Sequence, residues 1–142
     1  MNLIIAGSRS ITNEIIVNAI IKKYISTVYA PFGVTIISGL AMGVDTIGLN
    51  YAKDNGIDYL EYPANWIRHG NSAGYIRNAE MANVSSNLLA FWDQYSDGTK
   101  HMIDIADDKG MVVVQINMVD INLLIKKLGT DRVIEMIERE LI

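Results

Sequence analysis

Four short stretches of this 142-residue chain carry residues suited to handling phosphate. Gly7-Ser8-Arg9 joins two small residues to a guanidinium, the group that grips phosphate through two parallel hydrogen bonds. Ser38-Gly39 is followed by Gly43 and then Asp45, so two glycines four residues apart precede a carboxylate. Arg77-Asn78 and Gly98-Thr99 complete the set. Glycine admits tight turns and close backbone approach. Where a strand turns into a helix, the first-turn amides are unpaired and favour anions. Asp45, just inside such a helix, could take a ribose hydroxyl or hold an arginine. Its other reading is a first-turn acid that stabilises the helix dipole by about 0.3–1 kcal/mol. Trp66 offers a surface for base stacking, worth about 1–3 kcal/mol per base, or else covers an edge of the core. The glycine spacing is neither a Walker loop, since no Lys-Ser/Thr follows, nor Gly-x-Gly-x-x-Gly.

The pattern of apolar residues says what must position these groups. Leu3 to Gly7 is a short apolar run and reads as a buried strand. Thr12 or Asn13 caps a helix in which Ile16, Ala19, Ile20 and Tyr24 recur at helical spacing, and Pro31 and Gly33 break the chain after it. Val34 to Ser38 is a second strand. Ala41 to Asn55 is a helix stopped by Gly56. Ile57 to Tyr62 is a third strand, ended by Pro63, and residues 64–74 read as a polar loop. Tyr75 to Val84 is a short helix, Leu88 to Trp92 a fourth strand, Thr99 to Asp108 a helix stopped by Gly110, and Met111 to Ile116 a fifth strand. Asp120 caps a helix to Leu128, Gly129 breaks it, and Thr130 caps a last one with Val133, Ile134, Ile137 and Leu141 on one face.

This alternation predicts an α/β fold: a Rossmann-like, doubly wound parallel sheet of about five strands with C-terminal helices, residues 1–142 forming a single domain. In such a sheet, ligands bind beyond the carboxyl ends of the strands. Most of the chemistry-bearing groups follow a strand directly. The two final helices pack on the sheet or on a second subunit. With the sheet already covered, the apolar stripe of the last helix calls for a partner, so a homo-oligomer, an isologous dimer, is expected.

Half the residues are hydrophobic and a fifth are charged, a globular balance. A formal net charge of -4 argues against a general nucleic-acid coat and leaves room for a local basic pocket. The absence of cysteine excludes disulfides, thiol chemistry and cysteine-ligated zinc. His69 and His101 stand far apart with no matching acidic cluster, so neither a metal nor a cofactor is expected. The N-terminus lacks a basic segment before its short apolar run, and no apolar run approaches the roughly 20 residues that span a bilayer. A cytoplasmic protein without a membrane partner is expected.

Taken in order, AGSRSIT, ISGLAMGVDTIGLNYA, YPANWIRHGNSAGYIRNAEM and LLAFWDQYSDGTKHMIDIA resemble the SLOG superfamily. That superfamily groups the DNA-processing protein A with the LOG phosphoribohydrolases. The resemblance is nearest to its YspA-type branch, small stand-alone proteins of bacteria and phages. It is carried by Gly7-Ser8-Arg9; by Ser38, Gly39, Gly43 and Asp45; by Pro63, Ala64 and Trp66; by Ala73, Gly74, Arg77, Asn78 and Met81; and by Gly98-Thr99. It implies a Rossmann-like fold that binds nucleotides or nucleotide-derived signals such as ADP-ribose relatives. It implies a ligand held by Gly7, Ser8, Arg9, Ser38, Gly39, Gly43, Asp45, Trp66, Arg77, Asn78, Gly98 and Thr99.

Three functions follow. The first is a binding protein that senses or sequesters such a signal. The second is a phosphoribohydrolase-like enzyme. LOG enzymes need a carboxylate near the forming oxocarbenium ion, in a pattern resembling Pro-Gly-Gly-x-Gly-Thr-x-x-Glu. Here Gly98-Thr99 survives, the upstream glycines are missing and the glutamate position carries Met102, so only Asp97 or Glu80 is left to substitute. The third is a single-strand DNA binder, for which 12 basic against 16 acidic residues supply no basic groove. Among single residues, Arg77 in a first turn would oppose the helix dipole, which tilts it towards a ligand or a buried acid such as Asp45 or Glu80. Asn78 reads a base edge or ties down a loop. Thr99 meets phosphate or belongs to a cap. Arg68 and His69 read as solvated, with contact to phosphate as the alternative, and His101 reads as solvated or structural, with an acid or base role as the alternative.

Overall fold

The computed structural model describes residues 1–28 and 33–140. Strands β1 (Asn2–Gly7), β2 (Thr35–Ser38), β3 (Asp58–Glu61), β4 (Asn87–Trp92) and β5 (Val112–Asn117) form one sheet in the order β3-β2-β1-β4-β5. Every pairing is parallel, with Ile4 opposite Ile37 on one side and Leu88 on the other. The helices are α1 (Glu14–Val28), α2 (Val44–Asp54), α3 (Trp66–His69), α4 (Ala73–Asn83), α5 (Asp97–Asp108), α6 (Met118–Leu128) and α7 (Thr130–Glu138).

Strand alternation divides β1 between two cores. Leu3 and Ile5 point into a cluster with Ile16, Val17 and Ile20 of α1, Val44 and Ile47 of α2, and Val133 and Ile137 of α7. Ile4 and Ala6 point the other way, towards Met81 and Ala82 of α4 and Met102, Ile103 and Ala106 of α5. This is the doubly wound arrangement that the strand-helix order predicts. The edges depart from it. All four residues of β3 are exposed, as is Val112 of β5, so full burial on both faces holds only for the inner strands.

Several boundaries differ from expectation, each for a local reason. Residues 64–74 are not a plain loop. Asn65 accepts the amide of Arg68 at 3.0 Å and starts α3, and a 3-10 turn over Gly70–Ser72 leads into α4. Asn117, not Asp120, caps α6 by accepting the amides of Val119 and Asp120 at 3.0 and 3.3 Å. Gly129 at φ +84° is the residue before α7, which begins at Thr130 itself. Pro31 and Leu141 lie outside the described residues.

The apolar stripe of α7 does not await a partner. Val133 and Ile137 are buried against α1 within the same chain, and Ile134 packs beside them. The argument from that stripe to a second subunit falls away, because α1 takes the place assigned to another copy. Truncating Ile137 to alanine should therefore cost about 2–5 kcal/mol of folding stability, as for other buried isoleucines. Urea unfolding at low and high protein concentration should show the same loss; a loss that vanishes on dilution would return the stripe to an interface.

Candidate functional site

The order β3-β2-β1-β4-β5 places the topological switch between β1 and β4. Beyond their carboxyl ends the chain leaves in opposite directions, towards α1 from β1 and towards α5 from β4. A cavity of about 390 Å³ opens there. It lies within the roughly 300–1,000 Å³ typical of small-molecule sites.

Eight of the twelve expected residues line this cavity: Gly7, Arg9, Asp45, Trp66, Arg77, Asn78, Gly98 and Thr99. The other four are braces behind it. Ser38 is buried, donates to the Asp45 carbonyl at 2.9 Å and accepts the Leu40 amide at 3.2 Å. Ser8 is buried, accepts the Asp93 amide at 3.1 Å and touches the Thr99 hydroxyl at 3.5 Å. Gly43, at φ +79°, lets the loop after β1 press close: a Cβ there would fall 2.7 Å from the Ser8 carbonyl oxygen. Gly39 is not needed for a tight turn; the left-handed residue is its neighbour Leu40, at φ +62°. What Gly39 supplies is space. A Cβ on it would fall 2.7 Å from Arg77 Nη1 and 2.8 Å from Asp45 Oδ2.

Asp45 is only 4% exposed. Burial pushes its carboxyl up to about 6, against the pull of Arg77, the amides of Ala41 and Gly7, and Arg9. The Ala41 amide donates to Oδ2 at 3.3 Å. Asp45 is thus more than a dipole-stabilising acid, since it sits at the base of the cavity beside a guanidinium. Arg77 belongs to the second turn of α4, because the helix begins at Ala73, so the dipole conflict read from the sequence is weaker than expected. The same guanidinium spans two elements. Nη1 donates to the Gly39 carbonyl and Nε to Asn78 Oδ1 at 3.1 Å. Burial lowers its pKa and Asp45 opposes that. Glu80, the other candidate acid, is exposed.

Arg9 is different. Among the described residues its guanidinium makes no hydrogen bond and no ion pair; it stands 6.0 Å over the Trp66 ring. Trp66 is half exposed and belongs to neither core cluster, so it does not cover a core edge. Asn78 ties down rather than reaching out: its amide nitrogen donates to the Gly98 carbonyl at 3.3 Å and meets His101 Nδ1 at 3.1 Å. Ser96 caps α5, accepting the Thr99 amide at 3.4 Å and hydroxyl at 3.2 Å. The amides of Asp97 and Gly98 are left without an intrahelical acceptor.

Sequence reasoning missed Ser10, Asn71, Tyr75, Asp93 and Ser96, which also line the cavity. Asp93 organises the loop after β4. Its carboxylate accepts Ser10 Oγ at 2.7 Å and the amides of Tyr95 and Ser96 at 2.9 and 2.8 Å. Those bonds outweigh partial burial and hold it down at about 2. An acid directly after a strand and three residues before a cap serine was the available signal. Leu40 and Gln94, both at positive φ, lie in loops bordering the site, where backbone strain tends to gather.

The fold and the site define an α/β protein with a cavity of small-molecule size, lined by both polar and apolar groups, at the switch point of a parallel sheet. Residues 1–69 match the family described as YspA, cpYpsA-related SLOG family. The Gene 61 protein of Mycobacterium phage D29 is 32% identical over 91 residues, 60% of this chain and 73% of that protein. No solved structure gives a significant match. The chain belongs to the YspA-type branch of the SLOG superfamily. Membership points to binding or processing of nucleotide-related molecules. The matched stretch includes Arg9, Asp45 and Trp66; Arg77, Asn78, Gly98 and Thr99 lie beyond it. No helix among the described residues is long and apolar enough to cross a membrane.

The elevated Asp45 has a measurable signature. Because its folded pKa lies above the unfolded 3.8, the folded state holds an extra proton between about pH 4 and 6. The stability this contributes is complete below that window and lost as pH rises through 6. Asp45→Asn removes the dependence, so the variant should gain on the wild type by up to about 3 kcal/mol between pH 4 and 7. Urea midpoints across that range measure it; a difference that stays flat with pH would refute the assignment.

Proposed function

We propose that this protein binds a phosphate-bearing nucleotide or nucleotide-derived molecule, of the ADP-ribose kind, and releases it unchanged, as a sensor or sequestering protein. The observation that carries the reading is Arg9. It is an arginine at the cavity lining whose donors no described residue uses. Guanidinium forks match phosphate oxygens. Gly98, whose first-turn amide in α5 has no intrahelical acceptor, lines the same cavity and suits the same anion. Trp66 and Tyr75, each about half exposed, add aromatic surface for a base.

Against hydrolysis stands the floor. Met102 is 1% exposed and lines the cavity at the position where the resemblance to LOG enzymes expects a glutamate. A thioether there cannot stabilise an oxocarbenium ion or activate water. Asp97 is not among the lining residues and Glu80 is exposed, so neither substitutes.

Calorimetry with AMP, ADP-ribose and related nucleotides tests the reading. Arg9→Ala should weaken binding about ten- to a hundredfold, the loss of one charge-assisted hydrogen bond. The fold should survive, since among the described residues the Arg9 guanidinium makes no hydrogen bond or ion pair and only stands over the Trp66 ring. Chromatography of the incubated nucleotides should recover them intact. Release of free base would favour the phosphoribohydrolase, and a gel shift of single-stranded DNA without nucleotide binding would favour the DNA binder.

A further inference from the structure

His101 read from sequence as a solvated or structural histidine. In the structure it is partly buried on α5, and its ring lies against Tyr75 of α4 with centroids 4.2 Å apart and planes tilted by 33°. Its Nδ1 is 3.1 Å from Asn78 Nδ2. Which atom donates can be worked out from the neighbours. Arg77 Nε can only donate, so the Asn78 atom 3.1 Å away must be the acceptor Oδ1. The amide nitrogen then faces the Gly98 carbonyl, which can only accept, and His101 Nδ1. Nδ1 must therefore carry a lone pair, and the ring proton sits on Nε2.

A chain of hydrogen bonds thus runs from α5 to the cavity. His101 accepts from Asn78, Asn78 accepts from Arg77, and Arg77 donates its Nη1 to the Gly39 carbonyl. With Nε and Nη1 fixed, Nη2 is the guanidinium nitrogen left over, 3.7 Å from where a Cβ on the cavity residue Gly74 would lie. We propose that neutral His101 is a positioning residue: acting through Asn78, it holds the Arg77 guanidinium in the orientation that receives an anionic ligand group.

Protonation undoes the chain. A proton on Nδ1 would face the Asn78 NH2, donor against donor. Flipping the amide satisfies His101 but turns NH2 towards Arg77 Nε and takes the donor from the Gly98 carbonyl. No single amide orientation serves all three neighbours once the imidazole is charged. The surroundings favour the neutral form: burial lowers the His101 pKa, with Asp104 opposing. Asp104 is itself paired with Lys100 at 2.7 Å. From α4 the ring meets Tyr75 and Asn78, with the Arg77 cation behind them, and no described carboxylate oxygen lies within 4 Å of its nitrogens. The relay is therefore intact at neutral pH and lost as pH falls below the ordinary histidine range.

The relay is built from this chain's own residues; only its effect on affinity rests on the nucleotide reading. Long-range 1H–15N correlation of the two imidazoles should show His101 with unprotonated Nδ1 and protonated Nε2 at pH 7. The Arg77 Nε–H signal should shift or broaden as His101 titrates, below pH 6.5. His101→Phe keeps the ring against Tyr75 and removes the acceptor; it should lose that Arg77 signal at all pH values. His101→Asn returns an acceptor near the Nδ1 position without a titrating group, and should restore the signal and remove its pH dependence. For ADP-ribose, whose diphosphate does not titrate in this range, His101→Phe should bind roughly two- to tenfold more weakly than wild type at pH 7, and His101→Asn within twofold. An Nδ1–H tautomer, or an Arg77 signal indifferent to both pH and His101→Phe, overturns the proposal. If ADP-ribose fails to bind the wild type while the imidazole and Arg77 signals behave as stated, the nucleotide reading fails and the positioning role stands.

Discussion

The site depends on one constraint: β1 lies between β2 and β4, and all three run parallel. Parallel neighbours need crossovers, and right-handed crossovers that start in opposite directions from a central strand cover opposite faces. Hence the loops after β1 and β4 part company and leave a crevice that no helix fills. Bonds among β1, β4 and the loops that follow them fix the walls of the crevice. Ser8 donates its amide to the Phe91 carbonyl at 3.0 Å and takes the Asp93 amide on its hydroxyl, while Ser10 donates to the Asp93 carboxylate. Gly7 permits that approach, since a Cβ on it would collide with the Phe91 carbonyl oxygen.

Charge burial is the second theme. A carboxylate and a guanidinium removed from water each carry a desolvation cost that their attraction only partly offsets. Asp45 and Arg77 carry it together in the space beside Gly39, with backbone groups of Gly7 at the end of β1 and of Gly39 and Ala41 in the loop after β2 supplying partners. The fold tolerates the arrangement because the pair borders a cavity rather than a closed core. An anion arriving there would meet a guanidinium whose position has already been set.

Sequence periodicity made most of the fold legible. The alternation of Leu3 and Ile5 against Ile4 and Ala6 needs no tertiary information to announce a strand buried on both faces, and the glycines at 56, 110 and 129 mark helix ends through their left-handed φ. Residues 64–74 misled because a helix of one turn has no apolar period to detect. The α7 stripe was seen correctly as apolar, but periodicity tells that a face is buried and not by what; α1 and a second chain look the same from the sequence.

The chemistry divides along the same line. Residue types, their order and their places after strands were determined by the sequence: two arginines, a buried-helix aspartate, paired glycines and a Gly-Thr step, all brought to one edge by a parallel sheet. Tertiary structure decided what each does. Gly39 gives room instead of a turn because Arg77, 38 residues away, crosses over it. Ser8 and Ser38 turn inward because their hydroxyls close backbone bonds. Asn78 is spent on Arg77, Gly98 and His101, and Arg9 is left unspent. A side chain's residue type sets the bonds it is able to make, but which of them are already taken depends on neighbours distant in the chain, and only the folded molecule brings those together.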